Sequence, residues 1–119
     1  MSTSWITHRN EKILYVDYRG KKTEEALELL AEEASIIRKA DSPLLVLDDM
    51  RDFTLTKEFL AQGKALGKEL SPKVKKMAQV FAINGIKRII ANSFISFSGM
   101  QIRMFDEDEM EKAKEYLVM

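Results

Sequence analysis

The chain has 119 residues, 45% of them hydrophobic and 32% charged, a length and balance that support one compact core and leave no room for a second domain. Nineteen basic and nineteen acidic side chains cancel, so no overall field draws the chain to nucleic acid or an anionic membrane. With no cysteine, disulfides and thiolate metal sites are excluded.

The opening "MSTSWITHRNEK" lacks the apolar run of a signal peptide, and no stretch supplies the roughly 18 apolar residues that span a bilayer, so a cytoplasmic protein without a membrane span is expected. From Ser4 to His8, "SWITH" gives a weak strand signal, and Asn10, Glu11 and Lys12 turn the chain into a stronger strand over Ile13 to Tyr18. The two predict a hairpin. Thr23 reads as an N-cap with Glu24 and Glu25 in the first turn. Leu27, Leu30, Ala31, Ala34 and Ile37 form the apolar stripe of that first helix, with Glu28, Glu32, Glu33 and Arg38 facing elsewhere.

Asp41, Ser42 and Pro43 stop the helix, and "LLVLDD" follows as a strand covered on both faces. Thr56 caps a second helix running to Leu70, with Phe59, Gly63, Leu66, Gly67 and Leu70 at helical spacing. Met77 to Ile83 is a further apolar strand, and Ile86, Ile89, Ile90, Phe94 and Phe97 repeat as a third helix ended by Ser98 and Gly99. "IRMF" is a short strand with Ile102 and Met104 on one face. Asp106 and Glu109 then cap a last helix whose apolar side carries Met110, Ala113 and Leu117. The order β-β-α-β-α-β-α-β-α predicts an α/β fold in which parallel strands are joined by right-handed helical crossovers.

The stretch "KMAQVFAINGIKRIIANSFISFSGMQIRMFDEDEMEKAKEYL" resembles the small stand-alone bacterial STAS-like proteins of the SpoIIAA-like superfamily, which are related in fold to lipid-binding CRAL-TRIO domains. The topological likeness covers nearly the whole chain, and its specific residues lie in the last third. The resemblance implies a mixed, mostly parallel five-stranded sheet with strands largely in sequential order and helices mainly against one side. It also implies binding or regulation rather than catalysis. In the anti-sigma antagonist branch, a phosphorylatable serine opens the second helix within an Asp-Ser-Ser-Gly-like segment. Here that region is "DFTLTKEFL": Thr56 falls near the serine, but Leu55 precedes it and a bulky residue takes the glycine place. Thr56 reads better as a helix cap than as a phosphoacceptor.

Asp48, Asp49 and Asp52 cluster at the carboxyl end of a central strand, where open α/β sheets place ligand sites. Three carboxylates could hold Mg²⁺ beside a phosphate, but neighbouring strand residues point to opposite faces, and acids there also serve turns. No Walker loop, dinucleotide fingerprint or nucleophile elbow is present, and no cofactor is expected. His8, the one histidine, reads as a solvated edge-strand side chain. Lys57, Lys64, Lys68, Lys73, Lys75 and Lys76 form a basic stretch without interleaved aromatics, which argues against nucleic-acid binding. Met50, Phe53, Leu55 and Phe59 form an apolar run that either marks a partner surface or tucks under the second helix.

Together with the resemblance, which implies a non-enzymatic STAS-like domain, these residues point to a regulatory or ligand- or protein-binding role through Asp48, Asp49, Asp52, Phe53, Thr56 and Phe59. One alternative is a small metal-assisted, phosphate-handling enzyme using the three aspartates. Another is a binder of apolar, lipid-like ligands held between helices and sheet. A homodimer is expected as a means of covering apolar sheet surface.

Overall fold

A computed structural model describes residues 2–82 and 101–119. The expected helix over Ile86 to Phe97 lies outside the described residues. The strands are β1 (Thr3–His8), β2 (Glu11–Asp17), β3 (Leu44–Met50), β4 (Val74–Phe81) and β5 (Ile102–Asp106), in the spatial order β1-β2-β3-β4-β5. Helix α1 (Thr23–Lys39) joins β2 to β3 and α2 (Lys57–Leu70) joins β3 to β4 through a 3₁₀ turn at Ser71–Lys73. A last helix, α3 (Met110–Val118), follows β5.

β1 and β2 form the expected antiparallel hairpin, with His8 opposite Glu11. The two linking residues, Arg9 and Asn10, have φ of 49° and 68°. Two positive φ values make the turn whose twist matches paired strands, and asparagine tolerates that conformation. The other three pairings are parallel, as the α1 and α2 crossovers require for β2 with β3 and for β3 with β4.

Because each crossover moves the chain one strand in the same direction, right-handed connections place α1 and α2 on one face of the sheet. Their core joins Leu14, Val16, Val46, Met77 and Phe81 to Ala26, Leu29, Ile37, Phe59 and Leu70. α3 is not a crossover, and it packs on the opposite face, where Ala113, Tyr116 and Leu117 meet Ile13, Leu47, Ala78, Val80 and Phe105. The sheet is thus covered on both sides, the two long helices on one and α3 on the other. This explains why "LLVL" in β3 is continuously apolar: alternate residues serve different cores.

The helix boundaries differ from expectation at two caps. Lys22, not Thr23, is the N-cap of α1, and its N–H donates to Glu25 Oε1 at 3.1 Å. Glu109, not Asp106, precedes α3, although the Asp106 N–H does donate to Glu109 Oε1 at 2.9 Å. The first-helix stripe is also rotated: Ala26, Leu29, Glu33, Ala34 and Ile37 are buried, while Ala31 is exposed.

Candidate functional site

Parallel register aligns Val16, Asp48, Gln79 and Met104 as one row across the sheet, on the face that α1 and α2 cover. Asp48 and Gln79 are therefore polar side chains in an apolar layer, 3% and 4% exposed. Above them, α1 delivers a third polar group: Glu33, 2% exposed, lies four residues after buried Leu29 and four before buried Ile37. Tyr18 reaches it from the end of β2. The turn holding Tyr18 is fixed to β3 and the turn after it by two backbone bonds, Tyr18 N–H to the Asp49 carbonyl at 2.9 Å and Gly20 N–H to the Asp52 carbonyl at 2.8 Å. Gly20 has a φ of 69°, the left-handed conformation that glycine adopts without cost.

The Tyr18 hydroxyl donates to Glu33 Oε1 at 2.6 Å. Glu33 Oε2 and Asp48 Oδ1 are buried and receive no conventional donor. A proton held between the two carboxyls is the internal bond open to them. Burial, then the Glu33 charge, pushes the Asp48 carboxyl well above the usual range, and burial also raises Glu33. The Gln79 amide beside Asp48 and the Tyr18 hydroxyl on Glu33 oppose those shifts. Each carboxyl therefore holds its proton more tightly than a free one does.

Glu33, Asp48 and Gln79 line a cavity of about 50 Å³ between α1, α2 and the sheet. Its other walls are apolar, including Leu30, Ala34 and Ile37 from α1, Leu60 and Leu66 from α2, and Met50, Met77 and Phe81 from strands. Gly63 and Gly67 form part of the α2 wall, so the helix presents bare backbone there.

On the opposite face, Asp49 makes a different site. It is fully buried, accepting from the Tyr15 hydroxyl at 2.5 Å and from Arg51 Nε and Nη2 at 2.9 and 2.7 Å. Arg19 Nε lies 3.5 Å away. Burial works to raise the Asp49 carboxyl, but the Arg51 guanidinium and the Tyr15 hydroxyl together hold it below the usual range. Burial and this same carboxylate push Tyr15 up to about 12. Asp52 is exposed at a turn with a φ of 52°. The three aspartates therefore face three directions, and among the described residues no group of three or more acidic or histidine side chains is placed to hold a metal ion.

A family model described as SpoIIAA-like matches residues 13–118, nearly the whole chain. The chain belongs to the SpoIIAA-like family. Its fold is similar to the solved structure of an uncharacterized protein from the DUF3478 family, with a SpoIIAA-like fold, from Shewanella loihica PV-4. The TM-score is 0.72 at 14% identity, over 97% of this chain and 91% of that one. At that identity the likeness concerns the fold alone. No curated protein matches the chain.

Within this SpoIIAA-like fold, the remaining expected site residues fall into two groups. Phe53 and Phe59 are 3% and 5% exposed and pack with Tyr18, at centroid separations of 5.7 Å for Tyr18–Phe53, 5.4 Å for Tyr18–Phe59 and 5.0 Å for Phe53–Phe59. Of the two readings of the apolar run, these rings take the buried one, bracing the hydroxyl that reaches Glu33. Phe59 also lines the cavity, with Leu55. Thr56 is the N-cap of α2, its Oγ1 accepting from the Phe59 N–H at 3.2 Å.

His8 is not a freely solvated side chain. Its Nε2 lies 2.5 Å from Glu115 Oε2 on α3, and Arg9 Nε and Nη2 grip the same carboxylate at 2.6 Å each. Arg9 and then His8 push Glu115 down to about 2. The basic stretch is also divided: Lys73 Nζ binds the Ala40 carbonyl, and Lys76 Nζ binds the Tyr116 and Met119 carbonyls at 3.0 and 2.9 Å. No described helix is long and apolar enough to cross a membrane.

Glu33 is the residue that sequence reasoning misplaced. "AEEAS" reads as a charged outer face, yet position 33 falls four residues after Leu29 and seven after Ala26. That spacing was the available signal.

Proposed function

We propose that the chain is a single, non-enzymatic regulatory domain whose small ligand occupies the cavity between α1, α2 and the sheet. One observation carries this reading: Glu33 and Asp48, both nearly fully buried, turn into an apolar-walled cavity with a carboxyl oxygen each that receives no conventional donor. Structural polar groups in a core are ordinarily satisfied, and a partly satisfied pair in a void is the arrangement expected of a binding site. Occupancy would alter the packing of α1 on α2, and a protein partner would read that helical layer. The divergence of Asp48, Asp49 and Asp52 weighs against a metal-assisted reaction at the strand ends.

Native mass spectrometry of the chain purified from its own cells tests this. A ligand mass is expected on the wild type and absent from Ala34→Leu, which extends a buried wall residue into the cavity. Equal bound mass on both proteins would move the site elsewhere, and bare protein that also binds no small molecule from a fragment library would reject it.

A second copy of the chain is the partner proposed for β1. This strand lies at the end of the sheet, and Trp5 on it is 51% exposed. Light scattering behind size exclusion is expected to show a dimer for the wild type and a monomer for Trp5→Lys. A monomeric wild type at the same concentration would contradict it.

A further inference from the structure

Resting on the cavity reading above, we infer that the ligand class is a small aliphatic amine, bound as its ammonium against Glu33 and Asp48 with its alkyl chain among Leu30, Ala34, Leu60 and Leu66. Charge comes first. Ionisation of the pair places negative charge inside the fold, and among the described residues no lysine or arginine lines the cavity. A buried charge without a counter-ion is costly, and a cation entering from solvent removes that cost.

Hydrogen bonding gives the second constraint. The pair already takes the one donor Tyr18 offers, at 2.6 Å. Beyond a proton shared between them, Glu33 Oε2 and Asp48 Oδ1 find no donor among the described residues. An ammonium supplies three donors and no acceptor, so it can serve both oxygens at once. A carboxylate ligand would meet repulsion, and an alcohol would bring one donor and no charge. A hard metal ion needs six or more oxygen ligands, more than the Glu33 and Asp48 carboxyls and the Gln79 amide oxygen supply among the described lining residues.

Size is the third constraint. A cavity of about 50 Å³ has room for roughly four waters, or an organic molecule of about five non-hydrogen atoms. n-Butylamine has that size.

Acidification weakens binding, because Glu33 then takes up a proton and the negative charge is lost. Among the described residues, the groups that face the pair are Tyr18, just after β2, and Gln79 from β4, while α1 adds Glu32, which acts on Tyr18, and the α2 residues of the cavity wall are uncharged. None of these supplies a competing cation.

Isothermal titration with n-butylamine, 1-butanol and butyrate tests the assignment on wild type, Asp48→Asn and the double variant Glu33→Gln/Asp48→Asn. The expected result is that wild type binds n-butylamine about tenfold more tightly than 1-butanol, the difference between a charge-assisted and a neutral hydrogen bond, and that butyrate does not bind. Asp48→Asn keeps the Glu33 charge and keeps the preference; the double variant loses it while still binding 1-butanol. Equal affinity for amine and alcohol in wild type would overturn the amine assignment and leave the cavity reading standing. A preference that persists in the double variant would also overturn it. No binding of either compound to folded wild type would overturn both.

Discussion

The Tyr18 hydroxyl donates to Glu33 Oε1 across 2.6 Å, joining a turn after β2 to the buried side of α1. This bond, braced by Phe53 and Phe59, holds a carboxylate where the helix would otherwise place an apolar side chain. It leaves the other Glu33 oxygen directed to Asp48 and the cavity. Stability is given up there for a buried carboxyl pair that no described lysine or arginine faces.

The carboxyl pair sets one pH dependence. Both folded-state values lie above the ordinary range, so between the ordinary and the raised range the folded chain holds more protons than the unfolded one. Stability from this pair is present at low pH and falls as pH rises through that window. Glu33→Gln/Asp48→Asn removes the buried charge and is expected to gain about 2 kcal/mol at neutral pH. In urea unfolding, the gain over wild type should grow with pH; a constant or negative difference would show that the pair is not strained.

Asp49 behaves in the opposite sense. Its folded value is depressed, so its contribution is present above the unfolded carboxylate range and is lost as pH falls through the folded value. Asp49→Asn leaves Arg51 and the Tyr15 hydroxyl without their anion and is expected to cost about 3 kcal/mol at neutral pH. The same change should lower the Tyr15 titration from about 12 in a spectrophotometric scan. An unchanged Tyr15 titration in the folded variant would contradict the bond.

Thr56→Ala removes the cap on the Phe59 N–H and is expected to cost about 1 kcal/mol, with Thr56→Ser nearly neutral, in denaturant unfolding. A serine variant as unstable as the alanine one would mean that the hydroxyl bond is not what the position contributes.

Much of this fold was readable because its signals are local. The hairpin, the α2 cap at Thr56, the stop at Pro43 and the apolar runs of β3 and β4 each follow from the chemistry of a few neighbouring residues. The SpoIIAA-like resemblance supplied the sheet order, which depends on how distant strands pair. The candidate site was legible only in part. Asp48 stood out, but its alternation with Asp49 separates the two across the sheet, and nothing local distinguishes the face that meets α1 from the face that meets α3. Glu33 was hidden because glutamates on a charged helix read as solvated, and its burial depends on a tyrosine fifteen positions earlier. The His8 and Glu115 contact was equally out of reach, since it joins opposite ends of the chain.

The proposed function requires that the cavity beside Glu33 and Asp48 take a ligand. Methyl-labelled methionine NMR during addition of n-butylamine tests it most directly, because Met50 and Met77 line the cavity while Met110 and Met119 lie outside it. Saturable shifts are predicted at Met50 and Met77 in wild type, with neither moving in Ala34→Leu. Shifts confined to Met110 and Met119, or none at any of the four, would contradict the account.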